Sequence, residues 1–520
     1  MISPSSSEKS RRPLLDFGLP LAFGAAIVAS RIPAILCDCE LNVDESQLIA
    51  QVRRYQLDLL PWRSVNGDTG GPLNTWYLLA AHLLGMPLEY AWVHALAAAT
   101  LAATVILAYI AARRFFGREG AFVAGVFGTL WAVLHQVTDF SQYASELVPN
   151  LLVVAAVTCV GRSFRSDVAA ALFLGLMPWA KLQVVPIGVV IGAWLVAPTL
   201  WPGNADPGAP RQRIRRAALI VAAAALPSAL MIYAVAKGGA WEDCRRAYFV
   251  TNLSYAGEAV LAPFLLRAAD CVALASTVAP WCIGLIAAAL LVPWRRAVAA
   301  RFMDWRAPSG LALGIVAASV FAWARTRTEW AHYDFFLLPG LILATAAIMA
   351  PGTSSLRARG RARAAALAVA VAYALVLAKP AVDYGRSLLV RRQEPQEADG
   401  LLGAIRALAP GFRTMAIWGW RPSIYVRGGI TPPTRQANCG FLFIDNPSRD
   451  FLRARYAGDL EKSLPDLVLD SGGMSFEKFW HGVHLVEVPE LAPVIRAHYA
   501  LKGTIDAKDG TAYIYALKKP

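Results

Sequence analysis

Long apolar runs separated by short polar ones dominate the chain, and they decide what it can fold into. A helix that crosses a bilayer needs ~20 predominantly apolar residues. Segments near 17–36, 90–112, 120–137, 148–161, 168–179, 184–200, 217–236, 273–293, 310–324, 335–350 and 364–380 fit that requirement to differing degrees. Within lipid every backbone polar group has to be satisfied inside the segment, which makes these runs helices. The expected fold class is a polytopic α-helical membrane protein of about eleven spans, followed by a soluble α/β domain. Pro178 and Pro186 interrupt two of the shorter runs, which predicts broken or tilted helices shielded by neighbours. Composition agrees: 17% of residues are charged, against roughly 25% in a soluble domain.

A net charge of +14 raises the question of nucleic acid. The charge is placed otherwise. Arg and Lys form short clusters between apolar runs, with no basic face interleaved with aromatics, so no nucleic-acid partner is expected. With the N-terminus inside, the cytoplasmic pieces 1–16, 113–119, 162–167, 201–216, 294–309 and 351–363 hold 20 Lys and Arg. The outer loops 37–75, 138–147, 180–183, 237–272 and 325–334 hold 10 over more residues. That asymmetry orients the chain N-in, and an odd number of spans puts the C-terminus outside. The apolar run from Phe17 to about Leu36 is longer than the ~7–15 residues of a signal-peptide core, and it reads as an uncleaved first span after a cytoplasmic tail, 1–16.

The expected layout is therefore a transmembrane domain, 17–380, with long outer loops 37–75 and 237–272, then a periplasmic α/β domain, 381–520. In the first loop, Ser46–Leu60 has the pattern of an amphipathic helix lying on the membrane surface, and Leu73–Leu84 that of a second, ended by Gly85 and Pro87. The loop 237–272, with Trp241, Tyr248, Phe249 and Tyr255, reads as a lid or as ordinary interface packing. Beyond about Pro380, Met415–Trp418 and Asp466–Asp470 read as short strands. Gly503–Leu517 reads as a hairpin turning at Asp509-Gly510, and 399–408 and 490–499 read as helices. Among the seven cysteines, Cys159 and Cys282 lie in apolar runs, while Cys37, Cys39, Cys244, Cys271 and Cys439 face the oxidising side. Their spacing leaves any pairing open.

The residues with the most chemical potential lie on the outer face. Asp44-Glu45 follows the first span, where a carboxylate pair is costly to keep beside lipid and marks a candidate site. An attacking hydroxyl must lose its proton, and one carboxylate, its pKa raised by the other, is suited to take it. Asp44 with Gln47 also has the spacing of a helix N-cap. Asp139 and Glu146 form a second acidic region, with helix capping as the alternative. Lys181 lies between two short apolar runs and could bind a phosphate as a point charge or snorkel to the interface. Arg325, Arg327, His332 and Tyr333 crowd another outer loop, where cations run against the charge bias. They meet either an anionic ligand or the neighbouring Glu329 and Asp334. His82, His94 and His135 are isolated, no residues have metal-ligand spacing, and Glu40, Asp58 and Asp68 read as loop solvation or turn formation.

Taken together these features resemble the GT-C superfamily of membrane glycosyltransferases, nearest its protein O-mannosyltransferase, aminoarabinose transferase and rhizobial lipopolysaccharide glycosyltransferase branches. The resemblance is carried by Asp44-Glu45 in a long first outer loop and by Gly70-Gly71-Pro72-Leu73-Asn74. Tyr143–Pro149, Lys181-Leu182-Gln183, His332-Tyr333 and Trp418–Tyr425 add to it. It implies a GT-C-like fold and a bacterial inner-membrane enzyme. That enzyme would move a sugar from a polyprenyl-phosphate donor to a lipopolysaccharide, glycan or protein acceptor by a single inverting displacement. It implies Asp44 as the base with Glu45 tuning it, and Asp139 and Glu146 as the second acidic region. Lys181, Arg325, Arg327, His332 and Tyr333 would then hold the donor phosphate. Asp-Glu in place of a strict Asp-x-Asp leaves a divalent metal open and names no ligand for it. Two other readings compete: a transporter or flippase of lipid-linked glycans, which should carry charges at mid-membrane and paired repeats, and a non-catalytic envelope-assembly subunit.

Overall fold

The computed structural model describes residues 13–135, 138–200, 210–257, 304–325, 331–349, 356–474, 482–507 and 510–518. The N-terminal part is helical, in the order α1 (Pro13–Ser30), α2 (Ile32–Cys37), α3 (Val43–Tyr55), α4 (Pro72–Leu83), α5 (Tyr90–Leu134) and α6 (Thr138–Ser141). These are followed by α7 (Leu147–Cys159), α8 (Phe164–Ala180), α9 (Val185–Leu200), α10 (Pro210–Lys237), α11 (Trp241–Cys244) and α12 (Thr251–Gly257). After the undescribed stretch come α13 (Pro308–Ala324), α14 (Leu337–Met349) and α15 (Leu356–Arg391). The long α5 is the centre of this body, packed against α1, α7, α14 and α15.

The expected spans fall on these helices, except 273–293, which lies outside the described residues. Their lengths differ from expectation. Among the described residues, four helical segments are long and apolar enough to cross a membrane: Gly18–Cys37, Tyr90–Leu134, Pro210–Lys237 and His332–Met349. Leu147–Cys159, Leu182–Ala197 and Pro308–Ala324 are shorter apolar helices. Two expected spans, 90–112 and 120–137, are halves of α5, broken at Gly117 (φ 73°) in a conformation that only glycine adopts cheaply. Pro178 and Pro227 lie inside α8 and α10, where the missing N–H interrupts the ladder.

The first loop corrects one expectation. The helix predicted from Ser46 begins at Val43, and it does not lie on a membrane surface. Glu45 to Val52 are all buried, polar residues included. The reason is the C-terminal domain, which covers the face that would have met solvent: Ala50 belongs to the same apolar core as Leu401, Ile424 and Met415. Gly71 fixes the next turn. A Cβ there would stand 2.0 Å from the Trp179 carbonyl oxygen. Its own N–H donates to the Ala180 carbonyl (2.9 Å), and Asn74 Nδ2 donates to the same oxygen (2.7 Å). The Gly-Gly-Pro-Leu-Asn run thus clamps the end of α8.

In the C-terminal part come α16 (Glu397–Leu408), β1 (Met415–Trp418), α17 (Ser423–Gly428), α18 (Gly440–Phe443), α19 (Arg449–Ser463), β2 (Leu467–Asp470), α20 (Ala492–His498), β3 (Tyr499–Ala507) and β4 (Gly510–Leu517), and the four strands build a sheet. Its order is β1-β2-β4-β3. β1 and β2 are parallel, with Met415 opposite Leu467, and the β3–β4 hairpin adds antiparallel to β2. α15 runs through the expected boundary at 380 as far as Arg391. The two parts also share a core. Trp62, Trp179 and Tyr248 of the helical body cluster with Trp418, Leu452 and Tyr456. Arg455 Nη1 lies 2.6 Å from Asp243, and Arg435 Nη1 3.1 Å from the same carboxylate. Cys37 and Cys39 form a disulfide. Cys159, Cys244 and Cys439 are free, and Cys271 and Cys282 lie outside the described residues.

Candidate functional site

A cavity of about 240 Å³ opens where the loop between α2 and α4, the end of α8, the start of α14 and the C-terminal domain meet. Asp44, Gln47, Asp68, Ser145, Lys181, His332 and Tyr333 line it from the helical body. Trp420, Asn438, Gly440, Phe441 and Ile444 line it from the C-terminal domain.

Asp44 lies in the first turn of α3 but does not cap it. Asn42 is the cap: its Oδ1 accepts from the Asp44 N–H at 3.0 Å. The capping role read from the Asp44–Gln47 spacing is thereby corrected. With the cap supplied elsewhere, the Asp44 carboxylate accepts no hydrogen bond among the described residues and faces the cavity. Burial raises its pKa. His332 and Lys181 pull it back, and Glu146 and Asp139 push with the burial.

Glu45 points the other way. It is fully buried and absent from the cavity wall. It accepts from Leu41 N–H (2.6 Å) and Tyr143 N–H (3.3 Å) and pairs with His94 Nε2 (2.9 Å). It ties α3 to α5 and to the loop before α7, which positions Asp44 without touching the cavity.

Lys181 and His332 come from two breaks in helical structure. Lys181 is extended (φ −164°, ψ 133°) between α8 and the 3-10 turn Leu182–Val184, which swings its side chain inward. Its Nζ donates to Ser145 Oγ (2.7 Å), pairs with the buried Glu146 carboxylate and stands 4.9 Å over the Tyr333 ring. His332 and Tyr333 lie in the 3-10 segment Ala331–Phe336 that leads into α14, their rings 4.6 Å apart. His332 Nδ1 is 3.4 Å from Asp139 Oδ2, while Asp139 Oδ1 accepts from Asn42 Nδ2 at 2.8 Å. Although burial opposes it, these bonds hold the Asp139 pKa below its ordinary value. Asp139 and Glu146 thus stand behind the cavity as partners of His332 and Lys181. Arg325 ends α13 and does not line the cavity, and Arg327 lies outside the described residues.

Asp68 is a cavity residue that sequence reasoning passed over. Asn66-Gly67-Asp68-Thr69-Gly70 does make a turn, with Asp68 at φ 52°, but the turn delivers a buried carboxyl to the wall. Burial pushes its pKa up to about 7. Its oxygens accept from Gln47 Nε2 (3.0 Å) and Asn66 Nδ2 (3.2 Å). An aspartate between glycines, just before Gly71-Pro72, marked the turn but not the burial of its carboxyl. No such signal marked Asn438 or Phe441. Among the described residues no group of three or more His, Cys, Asp or Glu side chains is placed to hold a metal ion.

No family model and no curated protein matches this sequence. Solved structures do. ArnT from Cupriavidus metallidurans in the apo state is similar over 96% of this chain and 98% of its own, with a TM-score of 0.53 at 14% identity. The chain has the GT-C fold. The Archaeoglobus fulgidus oligosaccharyltransferase in the apo form matches at TM-score 0.48 and 12% identity, over 98% of this chain and 75% of its own. AglB from the same organism, in complex with an inhibitory peptide and a dolichol-phosphate, matches at 0.48 and 12%, over 96% and 74%. Within the GT-C fold of this chain, then, an acidic side chain in the first turn of α3 shares a cavity with a lysine and a histidine from the helical body.

Proposed function

We propose that this protein is a membrane glycosyltransferase taking a sugar from a polyprenyl-phosphate donor. The observation that carries the reading is a single cavity in which the Asp44 carboxylate, without a hydrogen-bond partner among the described residues, faces Lys181 and His332. An acceptor hydroxyl attacks the anomeric carbon, its proton passes to Asp44, and the bond from that carbon to the phosphate oxygen breaks. The departing phosphate gains negative charge, which preformed cations stabilise. Lys181 and His332 are those cations, held in place by Glu146 and Asp139. Attack opposite the leaving group inverts the anomeric configuration. A cavity of about 240 Å³ is small beside the ~300–1,000 Å³ of typical ligand sites, which favours one sugar unit over a long glycan. In this reading the protein is a multi-pass protein of the bacterial inner membrane, its N-terminus cytoplasmic and its C-terminal domain on the outer face. The acceptor is lipopolysaccharide, another envelope glycan or a protein.

The test is an assay of the purified full chain with radiolabelled polyprenyl-phosphate hexoses and pentoses and envelope lipid acceptors, wild type beside Asp44→Asn. Transfer by the wild type and not by the variant is expected. Undiminished transfer by the variant would remove Asp44 from the role of base. Lipid scrambling without transfer from any donor would replace the reading with a transporter.

A further inference from the structure

Asp68 is reached from the C-terminal domain through a chain of hydrogen bonds whose direction is fixed at its far end. The Gly440 backbone N–H can only donate, so the atom it meets at 2.7 Å on Asn438 is Oδ1. The other end of that amide, Nδ2, can only donate, and it meets Gln47 Oε1 at 2.8 Å. Gln47 is left with Nε2 facing Asp68 Oδ2 at 3.0 Å. Asn66 is oriented in the same way: its Oδ1 accepts from the Asp68 N–H (3.3 Å), which turns its Nδ2 to Asp68 Oδ1. Each carboxyl oxygen of Asp68 therefore meets an amide that has been made to donate.

We propose that Asn438 is a positioning residue of the candidate site: by fixing the Gln47 amide it keeps Asp68 a charged acceptor, able to hold a hydroxyl of the sugar or of the acceptor in the cavity. The role assigned to Asp68 rests on the glycosyl-transfer reading; the relay does not. The relay also gives the C-terminal domain a function in the site, because Asn438 and Gln47 are 391 residues apart and both buried. The opposing tendency is burial, which brings the Asp68 pKa to about 7. The other groups facing it are Asp44, Lys181 and His332 across the cavity, Arg455 of α19, the Cys439 thiol, and Asn252 of α12 on its backbone carbonyl. With so many influences on one carboxyl, losing a single donor is enough to change its charge near neutrality.

The experiment is an infrared pH titration of the full-length protein in nanodiscs, with the protonated Asp68 band assigned by difference from Asp68→Asn. Asn438→Asp still accepts from the Gly440 N–H but has no proton for Gln47, whose amide then turns its oxygen to Asp68. The Asp68 midpoint should rise by about one pH unit, a tenfold change in protonation. Gln47→Leu, which removes the donor outright, should give a rise of similar size. In the Gln47→Leu background, adding Asn438→Asp should move the midpoint no further, since the relay is already cut. A midpoint unmoved in Asn438→Asp, or moved as much in the Gln47→Leu background as in the wild type, overturns the proposal, the second result assigning the effect to through-space charge. In transfer assays the acid limb of kcat/KM should shift up with the midpoint. If the wild type transfers no sugar, the function proposed above fails while the titration still decides the relay. If it transfers and the midpoint stays, the relay fails and the function stands.

Discussion

Asp44 is available to the cavity because Asn42 takes the capping duty, and Glu45 beside it is unavailable because three partners occupy it. Two adjacent carboxylates should therefore fail differently. Asp44→Asn should lower kcat by ~10²–10⁴-fold, the usual contribution of a general base, and leave thermal unfolding in place. Glu45→Gln loses charge-assisted bonds inside the protein and should cost about 1.5–3 kcal/mol per bond disturbed, read as a fall in Tm that Asp44→Asn does not show. Since burial raises the Asp44 pKa, a base at this position gains activity as pH rises through a value above the ~3.9 of a free aspartate. In Asp44→Asn the limb set by Asp44 should be absent, leaving the separate limb that follows Asp68. The acidic pair was legible from its place beside an apolar run. Asp68 was not, because Asn-Gly-Asp-Thr-Gly spells a turn, and nothing in a turn's composition says that its carboxyl will be buried.

Among the elements, the Gly70–Asn74 run shows how a motif becomes geometry. Its glycine lies against the Trp179 carbonyl, and its asparagine holds the Ala180 carbonyl, one residue before Lys181. Gly71→Ala should push α8 away from the loop, lowering Tm and transfer together. The matching change at Gly85, where an added Cβ would meet no atom within 4 Å, finds no packing obstacle and only the strain of φ 103°. Parallel melting curves of the two variants separate these causes. The helices themselves were readable from hydrophobic runs. The break at Gly117 was not distinguished from a loop, since a polar stretch between apolar runs fits both. The seat of α3 was misread because its alternating apolar pattern describes a helix with one wet face, and here a second domain covers that face.

Over the whole molecule, the short strands read beyond the change of composition near Pro380 fall where the apolar runs stand. What composition could not give is how the parts adhere. Asn438 and Phe441 sit in a stretch without periodicity, and their partners are hundreds of residues away in the chain. The shared core of Trp62, Trp179, Tyr248, Trp418 and Tyr456, with Arg455 and Arg435 on Asp243, makes the two parts unfold together. Limited proteolysis should release no stable fragment corresponding to 397–520, and a chain truncated before Glu397 should aggregate on extraction. Arg455→Met, which leaves Asp243 with Arg435 alone, should weaken that union, visible as earlier cleavage between the parts.

The relay from Gly440 through Asn438 to Gln47 also sets an order of events in the making of the protein. Gln47 leaves the ribosome long before its partner 391 residues later. At roughly 5–20 residues per second, the interval is about 20–80 s. During it part of α3 stands uncovered, with Gln47 and Ala50 awaiting the residues that will enclose them. The cavity is thus closed by residues made long after those of its first wall, and a nascent chain halted before Asn438 has no finished cavity.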